Sequence, residues 1–142
     1  MRAAIKAAKR GLTEGEVPIG AVVVYEDKVV SRGYNRRARL QLASAHAEMM
    51  AIDKACKKFG SWRLPEGCEL YVTLEPCPMC MGAIINSRVK RIVFGAKDAK
   101  AGACGSVINL NNYPFNHKPE ISSGIMEEEC SSILSDFFSN KR

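Results

Sequence analysis

The stretch LYVTLEPCPMC, residues 70–80, changes from the pattern of a strand to that of a helix within a few residues. Residues Cys68–Leu74 are rich in β-branched and aromatic side chains and end before Pro76, which predicts a strand. Pro78 suits the first turn of a helix, and apolar residues continue beyond it. The apolar run Arg91–Gly95 then predicts a strand parallel to the first, because a helix connects the two. This part of the chain therefore predicts an α/β fold.

The remaining segments predict three more helices, a hairpin and a long loop. The elements are a helix over Ala3–Leu12, a hairpin of Ile19–Tyr25 and Val29–Tyr34 with a tight turn at Glu26-Asp27, a helix over Ala45–Phe59, and an amphipathic helix from Gly124 onward. Residues 102–119 are rich in Gly, Asn and Pro, so we expect mostly loop, with at most a short helical piece near Val107–Leu110. No repeat or linker interrupts the sequence, and residues 1–142 are expected to form a single domain.

The composition excludes several classes of protein. Six cysteines could form three disulfides, but a chain of 142 residues buries enough surface to fold without them. No apolar stretch reaches the length of a membrane span, and the first residues lack the apolar region of a signal peptide. We therefore expect a soluble protein of the cytoplasm, with reduced thiols.

The chain is basic, with 21 Lys and Arg against 15 Asp and Glu and a formal net charge of +6. This charge is compatible with an anionic partner such as nucleic acid, but also with a basic surface that only keeps the protein soluble. Arg32, Arg36, Arg37 and Arg39 concentrate charge around Asn35. This stretch is a candidate rim of a binding site.

Three candidate metal ligands occur in two short motifs. Cys77 and Cys80 are two residues apart at a corner between strand and helix, which lets both sulfurs reach one zinc ion. His46 lies at the start of another predicted helix, and a site with three protein ligands leaves one position open for water. On a helix the side chains of His46 and Glu48 point in different directions, so Glu48 does not bind the same ion with ideal geometry. We expect its carboxylate to lie next to the open coordination position and to transfer protons. The pattern predicts a hydrolytic zinc site.

These residues also have other interpretations. A Cys-x-x-Cys pair is typical of thioredoxin-like redox proteins, although that chemistry leaves His46 and Glu48 without a role. Cys56 or Cys68 could complete a structural zinc site as a fourth ligand, but both occupy positions typical of core thiols. A single Glu in the first turn of a helix often interacts only with the helix dipole.

The two motifs resemble those of the zinc-dependent cytidine and deoxycytidylate deaminase superfamily, whose signature is H-x-E and P-C-x-x-C. Within it, segments along nearly the whole chain are similar to the bacterial tRNA-specific adenosine deaminases. These segments are residues 15–21, 34–36, 45–48, 71–77, 94–98 and 134–138. The resemblance implies a three-layer α/β/α cytidine-deaminase-like fold, with a mixed central sheet of about five strands flanked by helices.

The resemblance also implies an activity and partners. The activity is hydrolytic deamination of the wobble adenosine, position 34, to inosine in tRNA-Arg with anticodon ACG. The enzyme would bind the anticodon stem-loop as a homodimer with one zinc ion per subunit, and neither DNA nor a membrane is an expected partner. His46, Cys77 and Cys80 would bind the zinc ion. Glu48 would transfer protons to adenine N1 and to the departing ammonia while water attacks C6.

Five further residues are implied in substrate binding. Val17 would form the pocket wall, and Asn35 would contact the purine edge and the ribose. Asp98 would contact the ribose and the backbone near the target nucleotide. Lys100 would contact a phosphate, and Phe138 would stack on an unpaired base of the anticodon loop.

The resemblance and the sequence itself also give expectations for other residues. Residues 36–42 are more basic than the corresponding loop of relatives and lack a proline seen in some of them, whereas Ala101 stands where relatives vary between Thr and Gly. Both sites are expected in loops that face RNA. Lys141 and Arg142 are expected near phosphates, and His117 is expected to be a hydrogen-bonding residue of a loop.

Two other functions stay open at the level of sequence. The first is a deaminase of free nucleobases or nucleosides, such as guanine, cytosine or cytidine, with the same zinc centre in a closed pocket. The second is a catalytically silent RNA-binding module that zinc stabilises. The net positive charge and the basic loop after Asn35 favour a large anionic substrate over a free base.

Overall fold

The protein has a central sheet with helices on both faces, and a computed structural model describes residues 1–141. The strands of these residues are β1 (Gly20–Tyr25), β2 (Lys28–Tyr34), β3 (Glu69–Leu74), β4 (Arg91–Ala96) and β5 (Glu120–Ser122). The helices are α1 (Arg2–Thr13), α2 (Arg37–Leu40), α3 (Ala47–Phe59), α4 (Pro78–Asn86) and α5 (Glu127–Asn140), with a 3-10 turn at Leu110–Asn112. The strand order is β2-β1-β3-β4-β5. Strand β1 is antiparallel to β2 and β3, whereas β3, β4 and β5 are parallel, so the mixed five-stranded sheet is confirmed.

The helices form one layer on each face of the sheet. A Cβ atom at Gly33 of β2 would collide with the backbone of α3, and one at Gly20 of β1 would collide with the backbone of α1. The side chains at these two positions point to opposite faces, so α1 and α3 cover different sides. Helix α4 packs beside α3, and α5 lies on the side of α1, where Ile5 and Cys130 share a small apolar cluster. The predicted three-layer α/β/α fold is therefore confirmed.

Turn chemistry explains the hairpin between β1 and β2. Glu26 and Asp27 have φ angles of 50° and 61°, and they connect the strands in two residues, as the sequence predicts. Positive φ at both central positions matches the right-handed twist of the flanking strands.

Two short elements were not predicted. Residues 37–40, expected as loop, form α2 because the buried carboxylate of Glu16 accepts the backbone N–H groups of Ala38 and Arg39, at 3.2 and 2.7 Å. Strand β5 has only three residues and exists through its parallel pairing with β4. The short helical piece expected near Val107–Leu110 is a 3-10 turn that covers Leu110–Asn112, so it begins where the expected piece ends.

One edge of the sheet collects the ends of four strands. Strands β2, β3 and β4 end there, and the antiparallel β1 begins there, as the pairings of Gly20 with Tyr34 and of Leu74 with Ala96 show. In sheets with parallel strands, ligands bind beyond the carboxyl ends of those strands. The segments that leave this edge carry most of the candidate site residues.

None of the helices within residues 1–141 has the length and apolar composition that crossing a lipid bilayer requires.

Candidate active site

The three candidate metal ligands lie at the starts of two helices. His46 has an extended backbone (φ −75°, ψ 155°) and immediately precedes α3, which begins at Ala47 and not at Ala45 as expected. Cys77 immediately precedes α4, where Pro78 occupies the first helical position. Cys80 lies in the first turn of α4 and is fully buried. The two helix starts bring the imidazole and both sulfurs together.

The distances between these ligand atoms fit zinc. His46 Nδ1 lies 3.7 Å from Cys77 Sγ and 3.5 Å from Cys80 Sγ, and all three ligand atoms lie within 4.8 Å of one another. Zn–N and Zn–S bonds of ordinary length at tetrahedral angles place nitrogen and sulfur about 3.5 Å apart. Nitrogen and thiolate sulfur are also the donors that zinc prefers. The donor set therefore suits one zinc ion.

The fourth-ligand interpretation of Cys56 and Cys68 is wrong. Neither sulfur belongs to the ligand cluster among residues 1–141. The Cys56 thiol donates a hydrogen bond to the carbonyl of Trp62 at 3.5 Å, and Cys68 is fully buried in the core. The site offers three protein ligands, as a catalytic zinc site does.

The environment of Cys77 favours its thiolate. A hydrogen bond from the Cys80 thiol and the contact with His46 hold the pKa of Cys77 well below the usual range of a thiol, although burial opposes this. The Cys77 sulfur in turn raises the pKa of His46. The thiolate is the form of cysteine that binds metal.

Glu48 is a buried carboxyl group beside these ligands, with 4% of its surface exposed. It lies in the first turn of α3 but is not part of the ligand cluster. Burial raises the pKa of Glu48 to about 7, although the charge of His46 opposes the shift. A carboxyl group with a pKa near neutrality can both accept and donate a proton at working pH.

A cavity of about 510 Å³ joins this centre to the other candidate residues. Its lining includes eight of the nine residues that the sequence assigned to the site: Val17, Asn35, His46, Glu48, Cys77, Asp98, Lys100 and Phe138. Cys80 lies outside the lining, fully buried in the first turn of α4. One pocket thus holds residues from both ends of the chain, and the roles assigned to them in substrate binding stay predictions.

Asn35 fixes one wall of the cavity. It is buried after β2, and its side-chain amide donates to the carbonyl of Val17 at 3.4 Å. Its side-chain oxygen accepts the backbone N–H of Arg37 at 3.2 Å, and its own N–H donates to the carbonyl of Ile19 at 3.1 Å. Through these hydrogen bonds Asn35 connects the segment that contains Val17 to the segment that contains Arg37, and both segments line the cavity.

Asp98 organises the loop after β4, which also lines the cavity. Its carboxylate oxygen Oδ1 accepts the backbone N–H groups of Lys100 and Ala101 at 3.0 and 3.2 Å. Its carbonyl accepts the N–H of Gly102 at 2.9 Å. This tight turn presents the side chain of Lys100 at the exposed mouth of the cavity.

The mouth of the cavity is basic and partly aromatic. Arg37, Lys97 and Lys100 are exposed there, and Phe138 of α5 is 50% exposed. An exposed aromatic ring next to cations is an arrangement found where proteins bind unpaired nucleotides. Lys141 lies with its Nζ atom 5.0 Å from the centre of a neighbouring ring, that of Phe137.

Two further expectations concern residues away from the pocket. His117 forms a contact of 2.6 Å between its Nε2 atom and the carbonyl of Val89, which confirms it as a hydrogen-bonding residue of a loop. Arg142 lies outside the described residues. Of the arginines around Asn35, only Arg37 lines this cavity.

Sequence reasoning missed several functional positions. Leu74 and Leu134 line the cavity as apolar wall residues, and buried Glu75 holds the Asp98 loop through hydrogen bonds. Buried Glu16 holds α2. The sequence offered a signal for Glu75, an acidic residue directly after the apolar run of a predicted strand, but none for Glu16, which follows Glu14 and Gly15 in a polar segment.

Comparisons with known proteins agree with this site. Residues 1–96 match the family model of the cytidine and deoxycytidylate deaminase zinc-binding region. The whole chain is 53% identical to the tRNA-specific adenosine deaminase of Bacillus subtilis, over 88% of that protein, and 43% identical to that of Aquifex aeolicus, over 93% of it.

Solved structures agree as well. One, from work on A-to-I editing by tRNA:A34 deaminases at the wobble position of transfer RNA, matches with a TM-score of 0.91 and 43% identity, over 94% of this chain and 97% of that chain. A guanine deaminase from Nitrosomonas europaea shares the fold, with a TM-score of 0.79 and 24% identity over 96% of this chain and 81% of the other. Because the family model, the relatives that match along the whole chain and the solved structure all agree, the chain belongs to the tRNA-specific adenosine deaminases of the zinc-binding cytidine and deoxycytidylate deaminase family.

Proposed function

We propose that this chain hydrolyses the exocyclic amino group of the wobble adenosine, position 34, in tRNA and so produces inosine and ammonia. The observation that carries the proposal is the single cavity that holds Glu48 and the ligands His46 and Cys77 beside an exposed basic mouth. The relatives that match nearly the full length of the chain support adenosine in tRNA as the substrate.

The chemistry needs a nucleophile and a group that moves protons. Zinc, when held by His46, Cys77 and Cys80, supplies a Lewis acid that lowers the pKa of a water molecule. Glu48 takes one proton from the attacking water and places it on N1 of adenine while the water oxygen bonds to C6. Glu48 then passes the second proton of this water to the amino group, and the C6–N bond breaks. Adenosine and water thereby yield inosine and ammonia, with all atoms accounted for.

The walls of the cavity orient the base. Val17 and Leu74 provide apolar surface for the purine ring, and the buried Asn35 lies beside Val17 with a polar amide for the purine edge or the ribose. Asp98, which also lines the cavity, offers a carboxylate for the ribose, and the exposed Lys100 offers a charge for a phosphate. Phe138 at the mouth offers a ring for stacking.

The same proposal includes the identity of the tRNA, a single domain, the oligomeric state and the location in the cell. The substrate would be tRNA-Arg with anticodon ACG, bound through its anticodon stem-loop. Residues 1–142 would act as one deaminase domain, because all strands of residues 1–141 share one sheet. The enzyme would work as a homodimer in the cytoplasm, where thiols stay reduced for metal binding.

The experiment compares RNA with free bases as substrates. Zinc-loaded protein is incubated with an ACG anticodon stem-loop, with the same stem-loop carrying guanosine at position 34, and with free adenosine, cytidine and guanine. We expect inosine only in the first RNA, measured by nucleoside mass spectrometry. Turnover of a free base or nucleoside without inosine in RNA would show that the chain is a small-molecule deaminase instead.

A further inference from the structure

A second, larger concavity lies between α1 and the edge strand β2, with a volume of about 1160 Å³. We name it the α1–β2 groove. Its lining consists of Ala3, Lys6, Ala7, Lys9, Arg10, Thr13 and Glu14 from α1 and its end, Arg32 and Tyr34 from β2, Arg36 and Arg39 beside α2, and Lys54 from α3. Its residues are distinct from those that line the active-site cavity.

The groove concentrates the positive charge of the protein. Seven of its lining residues are Lys or Arg and only Glu14 is acidic, which gives a formal charge of +6. The whole chain has the same formal charge of +6, so the remaining charged residues balance one another. A concave surface with seven cations and one carboxylate is the pattern expected for a site that binds a polyanion.

Internal contacts order the floor of the groove. Two guanidinium groups lie over the ring of Tyr34, that of Arg36 at 5.7 Å and that of Arg10 at 5.9 Å from its centre. The Tyr34 hydroxyl donates a hydrogen bond to Glu14, and the Arg39 Nε atom lies 3.4 Å from the same carboxylate. These contacts hold the cations in place before a ligand arrives, which reduces the entropic cost of binding.

One segment separates the groove from the active site. Asn35 and Arg37 line the active-site cavity, whereas their neighbours Arg36 and Arg39 line the groove. Cations therefore continue from the mouth of the pocket across α2 into the groove. A polymer with its target nucleotide in the pocket needs to cross only this segment to reach the groove.

The chemistry of the lining favours nucleic acid over a lipid surface. Surfaces that insert into membranes combine cations with large apolar side chains. The apolar residues of the groove are only Ala3 and Ala7, apart from the ring of Tyr34, which two guanidinium groups contact. Phosphates of a folded RNA can meet cations on both walls of a concave surface.

We propose that the α1–β2 groove binds the phosphate backbone of the substrate RNA while the target nucleotide occupies the active-site cavity. This inference rests on the proposed function, in which the substrate is tRNA. It assigns substrate affinity to residues of α1, β2 and α3 that do not line the catalytic pocket. We expect the groove to change the affinity for RNA and to leave the rate of the chemical step unchanged.

The test removes charge from the groove without touching the pocket. The variant Lys6→Gln/Lys9→Gln/Arg32→Gln neutralises three exposed cations of the groove. The control Lys28→Gln/Lys57→Gln/Lys118→Gln removes three exposed charges that line neither cavity. Zinc content and thermal unfolding are measured for each protein to verify the fold. Affinity for full-length tRNA-Arg is measured by filter binding at several salt concentrations, and kcat and KM are measured by inosine formation.

We expect the groove variant to raise Kd and KM at about 0.1 M salt by about tenfold or more, with kcat unchanged at saturating RNA. The slope of log affinity against log salt should fall by about one for each phosphate that the variant no longer binds, so by about two to three. The control should stay near the wild type. A groove variant that matches the control in Kd and salt slope would overturn the proposal.

Two further measurements distinguish RNA binding by the groove from a loss of folding and from binding to lipid. The variant Thr13→Lys adds an exposed cation to the groove, so it should tighten RNA binding, a gain that loss of folding cannot produce. If the groove variant loses binding to vesicles containing phosphatidylserine but keeps its RNA affinity, the surface binds lipid and the proposal is wrong. Inosine formation by the wild type tests the proposed function separately, because it does not depend on how the variants bind.

Discussion

The carboxylate of Glu75 accepts a hydrogen bond from the backbone N–H of Asp98 at 3.1 Å. Its other oxygen accepts the backbone N–H groups of Cys104 and Ser106 at 3.0 and 3.1 Å. Glu75 stands two residues before the metal ligand Cys77. One buried side chain therefore fixes the loop that carries Asp98 relative to the metal centre.

Glu75→Gln is expected to weaken this connection. A glutamine amide presents N–H donors where the backbone also donates, so at least one buried donor loses its acceptor, at a cost of about 1 to 3 kcal/mol in the free energy of unfolding. Denaturant unfolding measures this change. KM for the stem-loop should rise while zinc content stays the same. As a control, Glu66→Gln removes the same charge from an exposed position before β3 and should change neither quantity.

Glu48→Ala is expected to abolish inosine formation without loss of zinc. Its buried carboxyl group lines the cavity together with His46 and Cys77, and proton transfer by such a group contributes about 10²- to 10⁴-fold to the rate. Single-turnover assays measure the rate, and metal analysis measures the zinc. Activity within about tenfold of the wild type would exclude Glu48 as the proton-transfer group.

Cys77→Ser and Cys56→Ser should behave differently. Cys77 belongs to the ligand cluster, so its replacement should reduce bound zinc below one ion per chain and abolish activity. Cys56 lies outside the cluster and contacts the carbonyl of Trp62, so its replacement should keep both zinc and activity. Metal analysis of the two purified variants distinguishes three protein ligands from four. Loss of zinc in Cys56→Ser would restore the structural zinc interpretation.

Local signals explain which elements could be predicted from the sequence. Pro78 suits the first position of a helix by its fixed φ angle, and it occupies that position of α4. The turn at Glu26 and Asp27 could be predicted because only three residues separate two short runs rich in β-branched residues, Ile19–Tyr25 and Val29–Tyr34. The spacing of Cys77 and Cys80 identified two metal ligands, because both sulfurs come from one corner of the chain.

Interactions between distant residues explain what the sequence did not reveal. Helix α2 depends on Glu16, which is more than twenty residues away from the N–H groups that it accepts. Glu75 receives its hydrogen bonds from a loop that has no periodicity of its own. The arginines near Asn35 form a cluster that the sequence shows. Only the fold brings Lys6, Lys9 and Lys54 into one groove with three of these arginines, Arg32, Arg36 and Arg39.

Glu14 is expected to make stability depend on pH. The hydroxyl of Tyr34, which donates a hydrogen bond to it, and the guanidinium groups of Arg39, Arg36 and Arg10 hold the pKa of Glu14 below its ordinary value of 4.5. Its folded pKa is thus lower than its unfolded one, so the stabilisation is present above the unfolded value and is lost as the pH falls through the folded value.

Thermal unfolding of the wild type and of Glu14→Gln across pH checks this expectation. The wild type should have the higher Tm at about pH 7, and the difference should shrink as the pH falls below about 4.5. Glu66→Gln, at an exposed site, serves as the control for loss of a charge. A difference in Tm that stays constant down to about pH 3 would contradict the assignment.

Phe138→Ala is expected to weaken RNA binding more than it weakens the chemical step. The ring is half exposed at the mouth of the cavity, and stacking of a base on such a ring contributes about 1 to 3 kcal/mol, so KM for the stem-loop should rise by about 5- to 150-fold. Phe138→Trp should keep most of the affinity, because an aromatic face remains. Phe115→Ala is the matched control, since Phe115 is also about half exposed but does not line the cavity. Equal KM values for the two alanine variants would mean that Phe138 does not stack on the RNA.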